Sequence, residues 1–189
     1  MKMKNCSAFL LALFAFTSLL GQSKKEVKKL KIKSVAISVT DITDGKEKTY
    51  NESFKSFDNS ANELEDIEFN KDGTFKKKIV CKYNKNDDVT EELVYNEKGN
   101  LKKKTVTEYN ANKDKTSEIV YDDANQVIEK TQFGYNSFNE KTFELTTDKK
   151  GEVVKKSIYV YDKNSMKIEK KTTDGKGNLI SIKKYHYEY

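Results

Sequence analysis

The chain has 189 residues, with 36 basic residues that are all lysine, 30 acids and a formal charge of +6. That length suits one domain. The lack of arginine, whose planar fork favours phosphate, and the near balance of acids argue against specific nucleic-acid binding. The charged fraction is high, yet 11 Tyr and 10 Phe argue against a disordered chain.

In chain order, the first feature is a basic lead, MKMKN (1–5), followed by an apolar run at 7–20 and the small or polar residues Gly21, Gln22 and Ser23. This pattern predicts a secretory signal peptide over residues 1–22, cleaved near Gly21 or Gln22. The run is short for a membrane-spanning helix, so the mature form is expected to have no membrane span and to be secreted, periplasmic or at the cell envelope. Losing Lys2 and Lys4 with the leader leaves 34 lysines against 30 acids, or +4. Cys6 precedes the apolar run and cannot be a lipidated lipoprotein cysteine. The mature chain then keeps only Cys81, which can form no internal disulfide and is expected to be a small buried filler.

Residues 23–38 form a lead-in, in which KLKIKSVAISV (29–39) alternates and is expected to supply the first strand. From residue 39 to the end the sequence repeats. Segments beginning at 65, 91, 117, 143 and 169 align with a constant step of 26, and one step back gives a degenerate copy at 39–58 with Asp44 and Phe57 in register. Six copies therefore fill a repeat domain over 39–189. The sixth column holds Asn70, Asn96, Asp122, Asp148 and Asp174; the ninth holds Gly73, Gly99, Asn125, Gly151 and Gly177. Asn or Asp at the first position and Gly at the fourth marks a type I turn, often followed by a bulge in a hairpin. Asn125 is the permitted stand-in for Gly, because Asn also visits the left-handed region at low cost.

Around each turn apolar residues alternate at the strand period. One face is expected to carry Leu93, Tyr95, Leu101 and Tyr109, with counterparts Ile119, Tyr121, Val127, Phe133 and Tyr135, then Leu145, Val153, Tyr159 and Tyr161. Cys81 should lie level with Phe133 and Tyr159. A register set by the turn pairs Tyr95 with Leu101. Continued, it pairs Asp66 with Lys78, Glu92 with Lys104, Glu118 with Lys130 and Glu144 with Lys156, leaving Lys170 opposite Ile182. Such acid–lysine pairs would contribute roughly 0.2–1 kcal/mol each. The expected fold is all-β: an antiparallel meander of serial 26-residue hairpins, about ten to twelve strands, in a curled or partly closed sheet. The last strand ends close to Tyr189, and no further domain is expected.

The pieces YNEKGNL (95–101), YDDANQV (121–127), TDKKGEV (147–153) and TDGKGNL (173–179) resemble the YD repeat of Rhs-type bacterial proteins. A weaker resemblance links the chain to the MORN-like hairpin repeats of bacterial antitoxins, which carry more glycine after tyrosine and fit poorly with a signal peptide. The YD resemblance implies a β-sheet array that wraps a cargo or displays a surface, with carbohydrate binding suggested for some members. Six copies are too few to enclose a toxin domain.

Chemistry-bearing groups are sparse. His186 is the single histidine, on the polar side of the last strand, and reads as a surface residue. No Cys–His cluster has zinc spacing, no phosphate loop is present, and DITDGKE (41–47) lacks the length and closing Glu of a calcium loop. No cofactor or metal is expected, and the acids read as turn caps or strand partners. The column Tyr83, Tyr109, Tyr135, Tyr161 and Tyr187 is the candidate ligand-binding set, since spaced aromatics stack on sugars; its other reading is a core stripe shared between repeats. The ladder Lys78, Lys104, Lys130 and Lys156 would suit an anionic polymer but for its expected acid partners. The resulting expectation is an exported, non-enzymatic binding or structural module at the envelope or outside the cell, with a protein or polysaccharide partner. Its alternative is a polysaccharide binder using exposed tyrosines.

Overall fold

In the computed structural model, residues 24–43 and 46–187 are described. The expected leader (1–22) and Asp44 lie outside them. A short helix, α1 (Lys24–Leu30), precedes twelve strands: β1 (Ser34–Thr43), β2 (Lys46–Phe57), β3 (Glu63–Phe69), β4 (Phe75–Tyr83), β5 (Val89–Tyr95), β6 (Leu101–Tyr109), β7 (Lys115–Tyr121), β8 (Val127–Tyr135), β9 (Lys141–Asp148), β10 (Val153–Tyr161), β11 (Lys167–Asp174) and β12 (Leu179–Lys184). They form one antiparallel sheet in strict chain order. Each strand contacts only its neighbours in the chain, so the sheet is open, with β1 and β12 at its edges. No helix of the described residues is long and apolar enough to cross a membrane.

The meander of hairpins is as the repeat predicts, but the lead-in differs. Residues 24–30 are helical, and the first strand starts at Ser34 rather than Lys29. The helix exists because Val27 has a place to go. It packs on Phe57 and Ala61, with Ile32 and Val35 against them, forming the hydrophobic core cluster of the described residues. Elsewhere the sheet is one layer thick.

At the Gly-column turns, the amide at position four donates to the carbonyl at position one: Gly99 to Asn96 at 2.8 Å, Asn125 to Asp122 at 3.1 Å. The Asn96 side chain accepts from the amides of Lys98 and Asn100; Asp122 does the same for Ala124 and Gln126. Gly99 and Asn125 have φ of 74° and 59°, the left-handed conformation that this column requires. The connectors at the other end prove to be the same turn. Asn84, Asn110, Asn136 and Asp162 cap it, and the left-handed position is held by Asp87, Lys113, Asn139 and Ser165. The chain thus reverses in the same way twice per 26 residues.

The expected register holds only next to the Gly-column turn. Tyr95 does face Leu101, but a further bulge follows at once, and Val94 faces Lys103. The same slip recurs at Phe69, Tyr121 and Thr172/Thr173. Because side chains alternate, one inserted residue moves everything beyond it to the other face. Lys78, Lys104, Lys130 and Lys156 therefore face Ile67, Leu93, Ile119 and Leu145, not acids. Asp66, Glu92, Glu118 and Glu144 face Ile79, Thr105, Thr131 and Ser157, and Lys170 faces Lys183 rather than Ile182. The predicted apolar face is split. Leu93, Tyr95 and Leu101 share a back face with the lysine ladder, whereas Tyr109, Phe133, Tyr135, Tyr159 and Cys81 lie on the front with the acids.

Candidate functional site

The tyrosine column sits where each hairpin opens, at the end away from its Gly-column turn. Each phenol reaches back to the carbonyl of the residue 20 positions earlier. Tyr83 donates to Glu63 at 2.7 Å, Tyr109 to Val89 at 2.8 Å, Tyr135 to Lys115 at 3.0 Å, Tyr161 to Lys141 at 3.1 Å and Tyr187 to Lys167 at 2.7 Å. The bond satisfies a strand-start carbonyl and, for the first four, ties the last residue of one strand to the first of its partner. Burial pushes the phenols of Tyr83, Tyr109, Tyr135 and Tyr161 up, helped by Cys81 and Glu63 at Tyr83, Asp88 at Tyr109, Asp114 at Tyr135 and Glu140 at Tyr161. The first four rings are half-buried, and Tyr187 is more open. The column is neither a closed core stripe nor a row of free rings: it is a ladder of backbone staples.

On the front, small residues lie beneath long ones. Ser157 and Thr146 are 1% and 2% exposed although no second layer covers them. Thr131 and Thr146 share a hydrogen bond at 3.1 Å, as do Ser157 and Thr172 at 3.0 Å. The cover comes from an ionic cluster. Glu144 binds Lys141 at 2.5 Å and Lys170 at 3.1 Å, and both ammonium groups lie 5.0 Å from the centre of the Tyr159 ring. Burial acts to raise the Glu144 carboxyl, but hydrogen bonds from Lys141 and Tyr159 and the charge of Lys170 overcome it and hold the group at about 2. Burial and Glu144 together push the Tyr159 phenol up.

A second front cluster lies three units earlier in the array. Lys55 bridges Glu63 at 2.8 Å and Asp66 at 2.9 Å. Burial works against the Lys55 charge, but the two carboxylates outweigh it. Burial also lifts the Glu63 carboxyl despite Lys55. Asp66 Oδ1 is buried without a partner. Cys81 is buried next to these groups, and burial with the Glu92 and Glu63 charges pushes its thiol up to about 11. The thiol is thus protonated at neutral pH, and the small-filler reading fits its setting. Among the described residues no group of three or more His, Cys, Asp or Glu is arranged to hold a metal ion. A shallow open groove of about 310 Å³ lies between β2 and the β3–β4 turn, lined by Lys48, Tyr50, Lys71 and Asp72 among others. His186 is exposed near the chain end.

The front clusters were missed because the register placed their acids beside the lysine ladder. The signal was present, since Asp66, Glu92, Glu118 and Glu144 occupy one column at the 26-residue step.

No protein-family model matches the chain, and no curated protein matches it. Among solved structures, it is similar to a porin-like protein from Bacteroides uniformis, with 10% identity over 74% of this chain and 55% of that one and a TM-score of 0.42. It is also similar to the Photorhabdus luminescens Tc holotoxin pore, with 8% identity over 79% and 11% of the two chains and a TM-score of 0.30. A third similar structure is the TcdB2–TccC3 crystal structure, with 7% identity over 77% and 11% and a TM-score of 0.28. The chain spans about half the length of the first of these and about a tenth of the other two.

Proposed function

We propose that this is an exported, non-enzymatic hairpin-repeat protein of the YD type, acting as a binding or structural module at the cell envelope or outside the cell. The observation that carries this reading is the division of labour within the sheet. Turn caps and tyrosine staples hold the hairpins through backbone atoms, which leaves the broad back face uncovered. A surface freed from maintaining the fold is what a display or recognition scaffold needs. The basic lead and apolar run at residues 1–20 support export, and the Asx-x-x-Gly columns support the YD assignment. Two experiments test the proposal. Full-length protein expressed from its own start should appear processed in the envelope or medium; retention of an uncleaved chain in the cytosol would refute export. Purified protein should capture a polysaccharide or protein from envelope extracts, while turnover in a hydrolase substrate screen would overturn the non-enzymatic reading.

A further inference from the structure

We propose that the back face of β8–β12 docks on a lipid bilayer carrying anionic headgroups. The face is apolar and open. Phe143, Ile158 and Ile182 are 37%, 47% and 46% exposed, and Val160 is similar. At its turn-side rim each even strand begins with two exposed aliphatics, namely Val127 with Ile128, Val153 with Val154, and Leu179 with Ile180. The charged side chains that the register places on this face are Lys130, Lys156, Lys171 and Lys184 against Glu169, which is paired to Lys171 at 3.0 Å. Aliphatic groups among four lysines, with Glu169 the single acid of these strands on this face, match an anionic lipid surface in both hydrophobicity and charge.

The repeat supplies an internal control. The second rim residue is Lys76 in β4 and Lys102 in β6, but Ile128, Val154 and Ile180 in the later even strands. The column of Phe143 holds Glu65 and Glu91 in earlier units, and that of Val160 holds Lys82 and Glu108. The same hairpin forms with charged residues in these places, so the fold does not require the later ones to be apolar. Exposed apolar groups gathered on one face mark an interaction surface. This inference rests on that face and stands apart from the export reading.

The test uses protein without residues 1–22, whose apolar run would bind lipid by itself; every strand pairs within 24–187. Co-sedimentation with phosphatidylglycerol-containing vesicles is compared with phosphatidylcholine vesicles. Wild type should bind the anionic vesicles, less so as salt rises. The variant I128K/V154K/I180K keeps residues that the first units already use and adds three positive charges. It should nevertheless bind at least about tenfold more weakly, because the inserted aliphatic groups are gone. A folded variant, judged by circular dichroism, that binds as well as wild type would overturn the proposal. So would a wild type that ignores anionic vesicles, or one that covers this face by self-association in sedimentation velocity.

Discussion

Gly134 stands directly across the sheet from Phe143, and the ring of Phe143 lies over the glycine backbone, so that a Cβ added to Gly134 would fall 2.0 Å from a ring carbon. In the other units the equivalent pairs are Ser56 with Glu65, Lys82 with Glu91, Glu108 with Ser117 and Val160 with Glu169. The aromatic and the glycine therefore occur together, the ring filling the space that a side chain would otherwise occupy. Gly134→Ala should cost about 1 kcal/mol, the displaced ring outweighing the entropy gained in the chain. In a Phe143→Ser background, which copies Ser117, the penalty should vanish. Urea denaturation of the double-mutant cycle measures the coupling, and additive effects would refute the contact.

The tyrosine staples predict a graded loss. Tyr109→Phe removes only the hydroxyl bonded to Val89 and should cost about 0.5–1.5 kcal/mol. Amide exchange should quicken at Val89 and its neighbours while distant hairpins stay protected. Tyr135→Phe should add to it nearly independently, because its bond lies in the next hairpin. Both variants keep their rings, so a polysaccharide bound by ring stacking would still bind them. Binding lost with the hydroxyls alone, in a folded protein, would instead assign the phenols to the ligand.

Acid should weaken the Glu144 cluster. Its carboxyl is held at about 2 against an ordinary value of 4.5. A carboxyl lowered in the folded state contributes stability that is complete above its unfolded value and is lost as pH falls through the folded one. Stability should therefore drop between about pH 4.5 and 2, by on the order of 2–3 kcal/mol for this group. Glu144→Gln should flatten that limb and also weaken the protein at neutral pH, because Lys141 and Lys170 lose their counter-charge. A melting temperature that falls with acid equally in both proteins would refute the role of the cluster.

The hairpin array was legible because its turns are written in residue types: an Asx cap and, three residues on, a Gly or Asn that tolerates positive φ. The second bulge carries no such mark. Lys76 and Lys102 hold that position in the early units and the aliphatics Ile128, Val154 and Ile180 in the later ones, since the slip follows from strand geometry rather than from one residue type. One unmarked residue then moved every acid to the other face, and with it both ionic clusters of the candidate site. The connector turns were half-visible. Their cap is the Asx after each column tyrosine, but Asp87, Lys113 and Ser165 stand where Gly would have announced them. The helix was hidden because Val27 is held by contacts with Phe57 and Ala61, far along the chain.

Lys113 offers a stabilising change. It holds φ at 67°, which costs a side-chain-bearing residue roughly 1–2 kcal/mol. Lys113→Gly should raise stability by about 0.5–1 kcal/mol after the entropy of the added glycine, whereas Gly99→Lys at the matching turn should lower it. Thermal melts of the two variants check the sign, and a loss at Lys113→Gly would show that its bond to the Asn86 carbonyl outweighs the strain.

Cys81 should resist alkylation. With its thiol pushed up to about 11 by burial and the Glu92 and Glu63 charges, it should react with a maleimide at pH 7 only as fast as the sheet opens, and at once in denaturant. Rapid labelling of the folded protein would contradict the buried placement.

Because no strand touches any but its chain neighbours, each pairing closes only a short loop. Ordering can start at any hairpin and zip outward in both directions, without waiting for distant segments to meet. A twelve-stranded sheet of this kind should therefore assemble quickly for its size, escaping the slow search that long-range pairing imposes on most all-β proteins.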